Sequence, residues 1–226
     1  MSFYTPVQNA RAFRRMTRYD QINWNDFQEV VNAFHGRIDD WYILPTKELI
    51  NHKDGGHYAF AVMALNCLLI DMMSQFYYGA LTSSAKKFKD FVRIRIPQLA
   101  GNLPAPINQP VSPHNRTGTP LLTYEEVLYT GFRCGILHQA HVPLYGVLAG
   151  VPTPLDFHNN GTTQYANGAD CPSVVCHPRK VFEEIETAFL QYLDDLLNPD
   201  PKFKNLRPHF KIKFEDIFGV TINTTI

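Results

Sequence analysis

The chain has 226 residues, of which 45 % are hydrophobic and 19 % are charged, and its formal net charge is zero. This composition is typical of a soluble globular protein with one large domain and its own core. Zero net charge excludes a global attraction to nucleic acid or membranes, so any anion site must be local. The N-terminal residues include no apolar stretch of the secretory-signal type, which predicts a cytoplasmic protein with reduced cysteines.

The first part of the chain combines a basic segment with a helical pattern. Residues 1–23 form an N-terminal basic segment with four arginines, namely Arg11, Arg14, Arg15 and Arg18. Their spacing puts them on one face if the segment is helical, either as a solvated face or as a phosphate-binding strip. Apolar residues recur at helical spacing over 24–42, which predicts a helix that ends at Leu44 and Pro45.

A second, strongly apolar helix is predicted over 57–78, after a turn at 53–56 and with Gly79 as its C-cap. Its most apolar part, 58–73, is shorter than a bilayer-spanning helix and contains Asn66 and Asp71. We therefore expect a buried helix and no membrane contact. The Ser/Thr cluster at 82–84 predicts the N-cap of a third helix that ends near Pro97.

The second half of the chain alternates two helices with two loop insertions. Residues 97–120 hold six prolines and no periodicity, which predicts an irregular loop before a fourth helix from Thr123 to Pro143. Residues 144–177 are a second loop insertion in which a small hairpin is possible. A fifth helix is predicted over 178–197, followed by a tail, 199–226, with a short closing helix. The sum is a single all-α domain over 1–226, a bundle of about five helices with two long irregular loops.

Two polar residues interrupt the apolar fourth helix. Arg133 and His138 are five residues apart, which on an ideal α-helix separates their side chains by about 140°. A π-bulge or a helix end near the motif would bring them closer, and Gly135 makes such a distortion inexpensive. Alternatively, the two side chains flank a groove that a second copy of the helix completes.

The chemistry open to this pair is specific. A histidine is able to move a proton near neutral pH, and an arginine is a permanent bidentate ligand for phosphate. Together they are able to cleave RNA without a metal ion, by moving the proton of the 2′-hydroxyl or of the leaving 5′-oxygen and stabilising the transition state. The simpler interpretation is a structural role in which both polar ends are satisfied.

The sequence around the pair resembles the HEPN superfamily, whose corresponding helix carries an Arg-x4–6-His signature. The segment FRCGILHQA at 132–140 is similar to the motif of a bacterial and plasmid-encoded branch. HYAFAVMALNCLLID at 57–71 and QFYYG at 75–79 are similar to that branch's second helix. The resemblance covers the layout of about residues 25 to 200. It implies a HEPN-like helical bundle, a homodimer in which two motifs share one cleft, and RNA cleavage in toxin–antitoxin or phage-defence systems.

The resemblance assigns roles by motif position. Arg133 and His138 become the catalytic pair, and Asp71 becomes an acid that orients the arginine, although a helix-surface carboxylate is the alternative. Gln139 either contacts a phosphate or caps a turn. His141 either assists proton transfer or is the polar end of a helix. Cys134 stands where many nucleases of the superfamily have a polar residue.

Two hypotheses about function follow. The first is a metal-independent endoribonuclease that acts on RNA as a homodimer, with an antitoxin or another protein as a possible partner. The second is a non-catalytic HEPN module that binds RNA, a nucleotide or a protein, which the departure at Cys134 favours. One further group of residues has the types that bind metal ions. It consists of Cys171, Cys176, His177 and either His158 or Asp170. They lack a second pair at standard spacing, so we expect loop cysteines without a metal or cofactor.

Overall fold

The computed structural model describes residues 12–15, 17–108, 118–159 and 170–223. Helical segments make up 61 % of these residues, and three small β-sheets accompany them. The prediction of a mostly helical chain is confirmed, whereas the all-α class is wrong because the segments assigned to loops pair into strands. The described chain divides into two compact units.

The described chain alternates α-helices with short β-strands. The α-helices are α1 (Phe27–Ile38), α2 (Leu44–Asn51), α3 (Ala59–Tyr78), α4 (Ala85–Arg95), α5 (Tyr124–Val127), α6 (Gly135–Gln139), α7 (Pro178–Leu197) and α8 (Leu206–Phe218). Two π-helical turns, Asp39–Ile43 and Leu128–Cys134, join α1 to α2 and α5 to α6. Short 3₁₀ turns lie at Tyr19–Gln21, Gly55–Tyr58, Pro97–Leu99 and Pro201–Phe203. The strands are β1 (Ala12–Arg14), β2 (Thr17–Arg18), β3 (Asn102–Ile107), β4 (Leu121–Thr123), β5 (Gly146–Leu148), β6 (Leu155–His158) and β7 (Ser173–Cys176).

Unit 1 draws its described residues from 1–48, 71–83 and 186–226. Its core is aromatic: Phe34 of α1 is buried, and its ring lies 4.6 Å from Phe76 and 5.3 Å from Phe210, centroid to centroid. Each fully buried side chain of this size contributes about 1.5–3 kcal/mol. The predicted closing helix is α8, which begins at Leu206.

The described arginines of the basic segment do not lie on a helix. Arg14 and Arg18 lie in β1 and β2, which pair antiparallel, and the Arg14 guanidinium donates a hydrogen bond to Thr17 at 3.0 Å. The condition for a single helical arginine face is therefore not met in residues 12–15 and 17–18. Arg11 lies outside the described residues.

Unit 2 draws its described residues from 49–70 and 84–185. The predicted N-cap of α4 is confirmed, because the Ser84 hydroxyl accepts a hydrogen bond from the Lys87 amide. The start of α7 is held against α3, since the buried Asn66 amide donates to the Pro178 carbonyl at 2.8 Å. Helix α7 has the predicted bounds.

The first long helix does not end at Pro45. The chain stays helical from 27 to 51, because the π-turn Asp39–Ile43 lengthens the hydrogen-bond spacing and the Leu44 amide donates to the Asp39 carbonyl. A proline has no N–H to donate and collides with the preceding turn of a regular helix. The wider turn accommodates the ring, and the Thr46 hydroxyl donates to the Tyr42 carbonyl at 2.6 Å.

Both segments predicted as irregular loops contain strands. β3 pairs antiparallel with β4 through a register shift. In the second segment β7 is the central strand, parallel to β5 and antiparallel to β6. β6 and β7 form an antiparallel pair in the segment where the sequence left a small hairpin open. The other strands were not predicted because they have three to six residues and find partners far along the chain. Residues 109–117 and 160–169 lie outside the described part.

Helix α3 is longer than its most apolar part. With the preceding 3₁₀ turn, Gly56–Tyr78 forms 23 residues that by length and composition alone are able to cross a membrane, whereas the sequence prediction concerned only the apolar part, 58–73. Of its most apolar 18-residue window, 56 % is buried within the protein, and buried core helices pass the same test of length and composition. Its C-cap Gly79 has φ +58°, as predicted.

Candidate functional site

The helix that carries the arginine–histidine motif begins at a defined cap. The Thr123 hydroxyl accepts a hydrogen bond from the Glu126 amide at 3.4 Å, at the helix start that the sequence predicts. Glu125 is buried, and its carboxylate accepts hydrogen bonds from Arg93 of α4 at 2.6 Å and from the Gly101 amide at 3.1 Å. The first turn of the helix is thereby fixed to α4 and to the residue before β3.

The middle of this helix is a π-turn that includes the motif arginine. The turn Leu128–Cys134 separates α5 from α6. In a π-turn the hydrogen bonds join residues five apart, so residues at that spacing lie nearly one above the other. The turn ends at Cys134, so Arg133 lies within it and His138 follows in α6. A π-bulge near the motif is one of the two ways the sequence offered for bringing the two side chains together.

The helix also ends directly after the motif, which is the second way the sequence offered for bringing Arg133 and His138 together. Helix α6 stops at Gln139, and Ala140 has a left-handed backbone with φ +50°. The Ala140 amide donates to the Ile136 carbonyl and the His141 amide to the Gly135 carbonyl, both at 3.1 Å. The chain therefore turns back over Gly135 and leaves His138 in the last helical turn.

Arg133 and His138 are in direct contact. The guanidinium Nη1 lies 2.6 Å from the imidazole Nε2, within one chain. An arginine only donates hydrogen bonds, so Nε2 is the acceptor and the proton of the neutral ring is assigned to Nδ1. His138 is exposed and Arg133 is half-buried. The pair thus presents a permanent cation and a proton carrier side by side at the surface of unit 2.

A tyrosine that the sequence did not single out contacts the pair. The Arg133 Cζ lies 5.6 Å from the centre of the Tyr129 ring. The Tyr129 ring in turn meets the ring of Phe88 at 5.2 Å, edge to face, and Phe88 is fully buried in α4. The available signal was the spacing, since residues four apart on a helix are neighbours on one face.

The other residues expected at the site are placed as follows. Gln139 and His141 are exposed, at the end of α6 and in the turn after it. Asp71 belongs to unit 1, is buried, and accepts a hydrogen bond from the Ser83 hydroxyl at 2.6 Å. Its buried position contradicts the helix-surface alternative, and its role towards Arg133 stays a prediction.

One cysteine differs from its expected setting. Cys176 lies in strand β7 rather than in a loop, and burial raises its pKa well above the usual range, whereas Cys134 of the motif helix is half-buried. Burial also raises the pKa of Tyr145 to about 12, and the nearby Cys134 and Cys171 add to this effect. Within 12–15, 17–108, 118–159 and 170–223, no three His, Cys, Asp or Glu side chains converge as a metal site.

A cavity in unit 2 lies apart from the motif. Its volume is about 390 Å³, and its wall includes the apolar side chains of Ile50, Val62 and Leu148 together with His177 and Arg179. Burial, followed by the charge of Lys180, lowers the pKa of His177. None of the residues around this cavity belongs to the motif helix, so the cavity is a separate feature.

No family model, curated protein or solved structure matches this chain.

Proposed function

We propose that this chain is a HEPN-type endoribonuclease that cleaves RNA without a metal ion and acts as a homodimer. The proposal rests on the 2.6 Å contact between Arg133 Nη1 and His138 Nε2 at the exposed end of a helix. This contact brings a phosphate-binding cation and a proton carrier within reach of one phosphodiester. The similarity of 57–71, 75–79 and 132–140 to HEPN sequences supports it.

The reaction begins with the exchange of one hydrogen bond. In the free protein the guanidinium of Arg133 occupies the lone pair of His138 Nε2. A substrate phosphate draws the guanidinium to its own oxygens, because a bidentate bond to an anion is stronger than a bond to a neutral imidazole. Nε2 is then free to accept the proton of the ribose 2′-hydroxyl.

The bond changes follow from that proton transfer. The 2′-oxygen forms a bond to phosphorus, the bond from phosphorus to the 5′-oxygen breaks, and the leaving oxygen takes up a proton. Arg133 neutralises charge on the phosphoryl oxygens in the transition state. The products are a 2′,3′-cyclic phosphate and a 5′-hydroxyl. DNA does not react by this route, since it has no 2′-hydroxyl.

A second copy of the chain supplies the second proton carrier. Attack and departure take place on opposite sides of phosphorus, and one imidazole does not reach both sides at once. A homodimer with two facing motifs provides a second His138, which in its protonated form donates a proton to the leaving oxygen and is left neutral, while the first His138 takes up the proton of the 2′-hydroxyl. A cytoplasmic toxin or phage-defence effector, held inactive by an antitoxin, is the biological role that the HEPN similarity supports.

The experiment is RNA cleavage by the purified protein in EDTA. We expect a 2′,3′-cyclic phosphate product, no cleavage of a DNA strand of the same sequence, and loss of cleavage in His138→Ala. The matched control is His158→Ala, which removes another exposed histidine of unit 2 that is paired with Asp156 at 3.3 Å. Absence of cleavage by the parent protein, or equal cleavage by His138→Ala, contradicts the proposal.

The second candidate is a HEPN module that binds without cutting. The observation in its favour is the same hydrogen bond, because it occupies the nitrogen that would act as base, together with Cys134 after the arginine. It predicts that RNA, a nucleotide or a protein partner binds equally well to the parent and to His138→Ala, with no cleavage by either. If Arg133 and His138 have only a structural role, mutating either residue should lower the unfolding free energy and leave ligand binding unchanged.

A further inference from the structure

Tyr129 lies on the motif helix, four residues before Arg133, and the Arg133 guanidinium contacts two rings. Its Cζ is 5.6 Å from the Tyr129 ring centre, while its Nη1 contacts the imidazole of His138 at 2.6 Å. The negative face of an aromatic ring attracts a cation at this separation. The ring therefore limits the positions that a long and flexible arginine side chain is able to take.

The ring itself has a rigid support. Tyr129 meets Phe88 at 5.2 Å with an angle of 64° between the ring planes, and Phe88 is fully buried. Helix α4, which carries Phe88, is tied to the start of the motif helix by two ion pairs, Arg93 with Glu125 and Lys89 with Glu126. A side chain held by packing on a fixed helix is suited to position its neighbour.

We infer that Tyr129 is a positioning residue that holds the Arg133 guanidinium against Nε2 of His138. This inference deepens the proposed function and rests on it for its effect on cleavage. The geometric part stands on its own, because the position of the guanidinium is measurable in the free protein without any substrate.

Three replacements at position 129 separate ring electrostatics from packing. Tyr129→Phe keeps the aromatic face and loses the hydroxyl. Tyr129→Leu keeps an apolar side chain and loses the face. Pentafluorophenylalanine at this position keeps the shape of the ring and removes its attraction for a cation. This variant tests the attraction even if Tyr129→Leu fails to fold. Tyr124→Leu, at the start of the same helix, is the matched control.

The first measurement is the tautomer of His138, read from ¹⁵N spectra of histidine-labelled protein at a pH at which the ring is neutral. The chain has nine histidines, and loss of one signal in His138→Gln assigns the ring. In the parent protein we expect the Nδ1–H tautomer to predominate, because Nε2 accepts from Arg133. In Tyr129→Leu and in the pentafluoro variant we expect the His138 imidazole to be a mixture of its two neutral tautomers. Tyr129→Phe and Tyr124→Leu should show the same tautomer as the parent.

The opposite results overturn the inference. If the pentafluoro variant keeps the parent tautomer, the ring does not hold the guanidinium. If Tyr129→Phe loses that tautomer, the hydroxyl and not the aromatic face is responsible.

The second measurement is the rate of RNA cleavage. We expect Tyr129→Leu to cleave about tenfold more slowly, because a guanidinium that the ring does not hold beside His138 is less often placed to bind the phosphate. Tyr129→Phe should stay within about threefold of the parent. A parent protein that does not cleave RNA contradicts the proposed function and leaves the tautomer test to decide about Tyr129. If the parent protein cleaves RNA and both Tyr129→Leu and the pentafluoro variant cleave it at the same rate, the positioning role is contradicted.

Discussion

Gly135 is the position at which one methyl group tests the geometry of the motif helix. A Cβ there would lie 2.5 Å from the His141 carbonyl oxygen and 3.2 Å from the Pro143 Cδ. The first distance is about 1 Å shorter than an ordinary van der Waals contact. Because the obstacle is backbone, Gly135→Ala must displace either the helix or the turn that follows His138.

The expected cost follows from three opposing effects. In an unobstructed helix, replacing glycine by alanine stabilises by about 1 kcal/mol. Overpacking costs about 1–3 kcal/mol. The displaced turn also loses the hydrogen bond from the His141 amide to the Gly135 carbonyl, which contributes about 1 kcal/mol. We therefore expect Gly135→Ala to lower the unfolding free energy by about 1–3 kcal/mol.

The assay is urea denaturation of the parent and the variant, with Gly56→Ala as the matched control. Gly56 belongs to the same unit, and a Cβ there would meet no atom within 4 Å. That control should leave stability unchanged or raise it by up to about 1 kcal/mol. If Gly135→Ala is as stable as the parent or more stable, the turn does not pack on Gly135 and the reasoning fails.

Three more predictions concern the surroundings of the site. Ala140→Gly should raise the unfolding free energy by about 0.5–1 kcal/mol in thermal denaturation, since the left-handed backbone strains alanine and not glycine. Asn66→Ala should lower it by about 1–3 kcal/mol in urea, because the buried hydrogen bond between α3 and the Pro178 carbonyl is lost. Between about pH 10 and 12 the unfolded chain ionises Tyr145 while the folded chain keeps it protonated, so stability should fall as the pH rises. Tyr145→Phe should remove about 2 kcal/mol of that fall, measured as the difference between the two pH profiles.

The sequence predicted the helices whose apolar residues recur in a regular pattern. Helix α7 has its predicted bounds, and Ser84, Thr123 and Gly79 cap helices as their residue types indicate. These features depend on residues within one turn of one another, which is the range at which a sequence pattern is informative. Within the site, the same local reasoning offered a π-turn or a helix end near Arg133, and both are present.

What the sequence did not predict depends on residues that are distant along the chain. Strand β5 has three residues, and its partner β7 begins at Ser173, so nothing within the strand indicates the pairing. Pro45 indicates a helix end by every local rule, and only the wider π-turn before it allows the helix to continue. The place of Tyr129 between Arg133 and Phe88 requires the packing of α4 on the motif helix, which no spacing reveals.

The π-turn Leu128–Cys134 has a consequence for insertions and deletions. A π-turn holds one residue more than an ordinary α-helix, so deleting one codon between Tyr129 and Arg133 would let a regular α-helix form and leave His138 near its present side of the helix. Tyr129 and Arg133 would then be three residues apart instead of four. An insertion of one codon in α6, between Arg133 and His138, would instead rotate His138 by about 100° around the helix axis and away from Arg133. The number of residues between the Thr123 cap and His138 is therefore as much a part of the site as their identity, and that segment should tolerate substitutions better than changes in length.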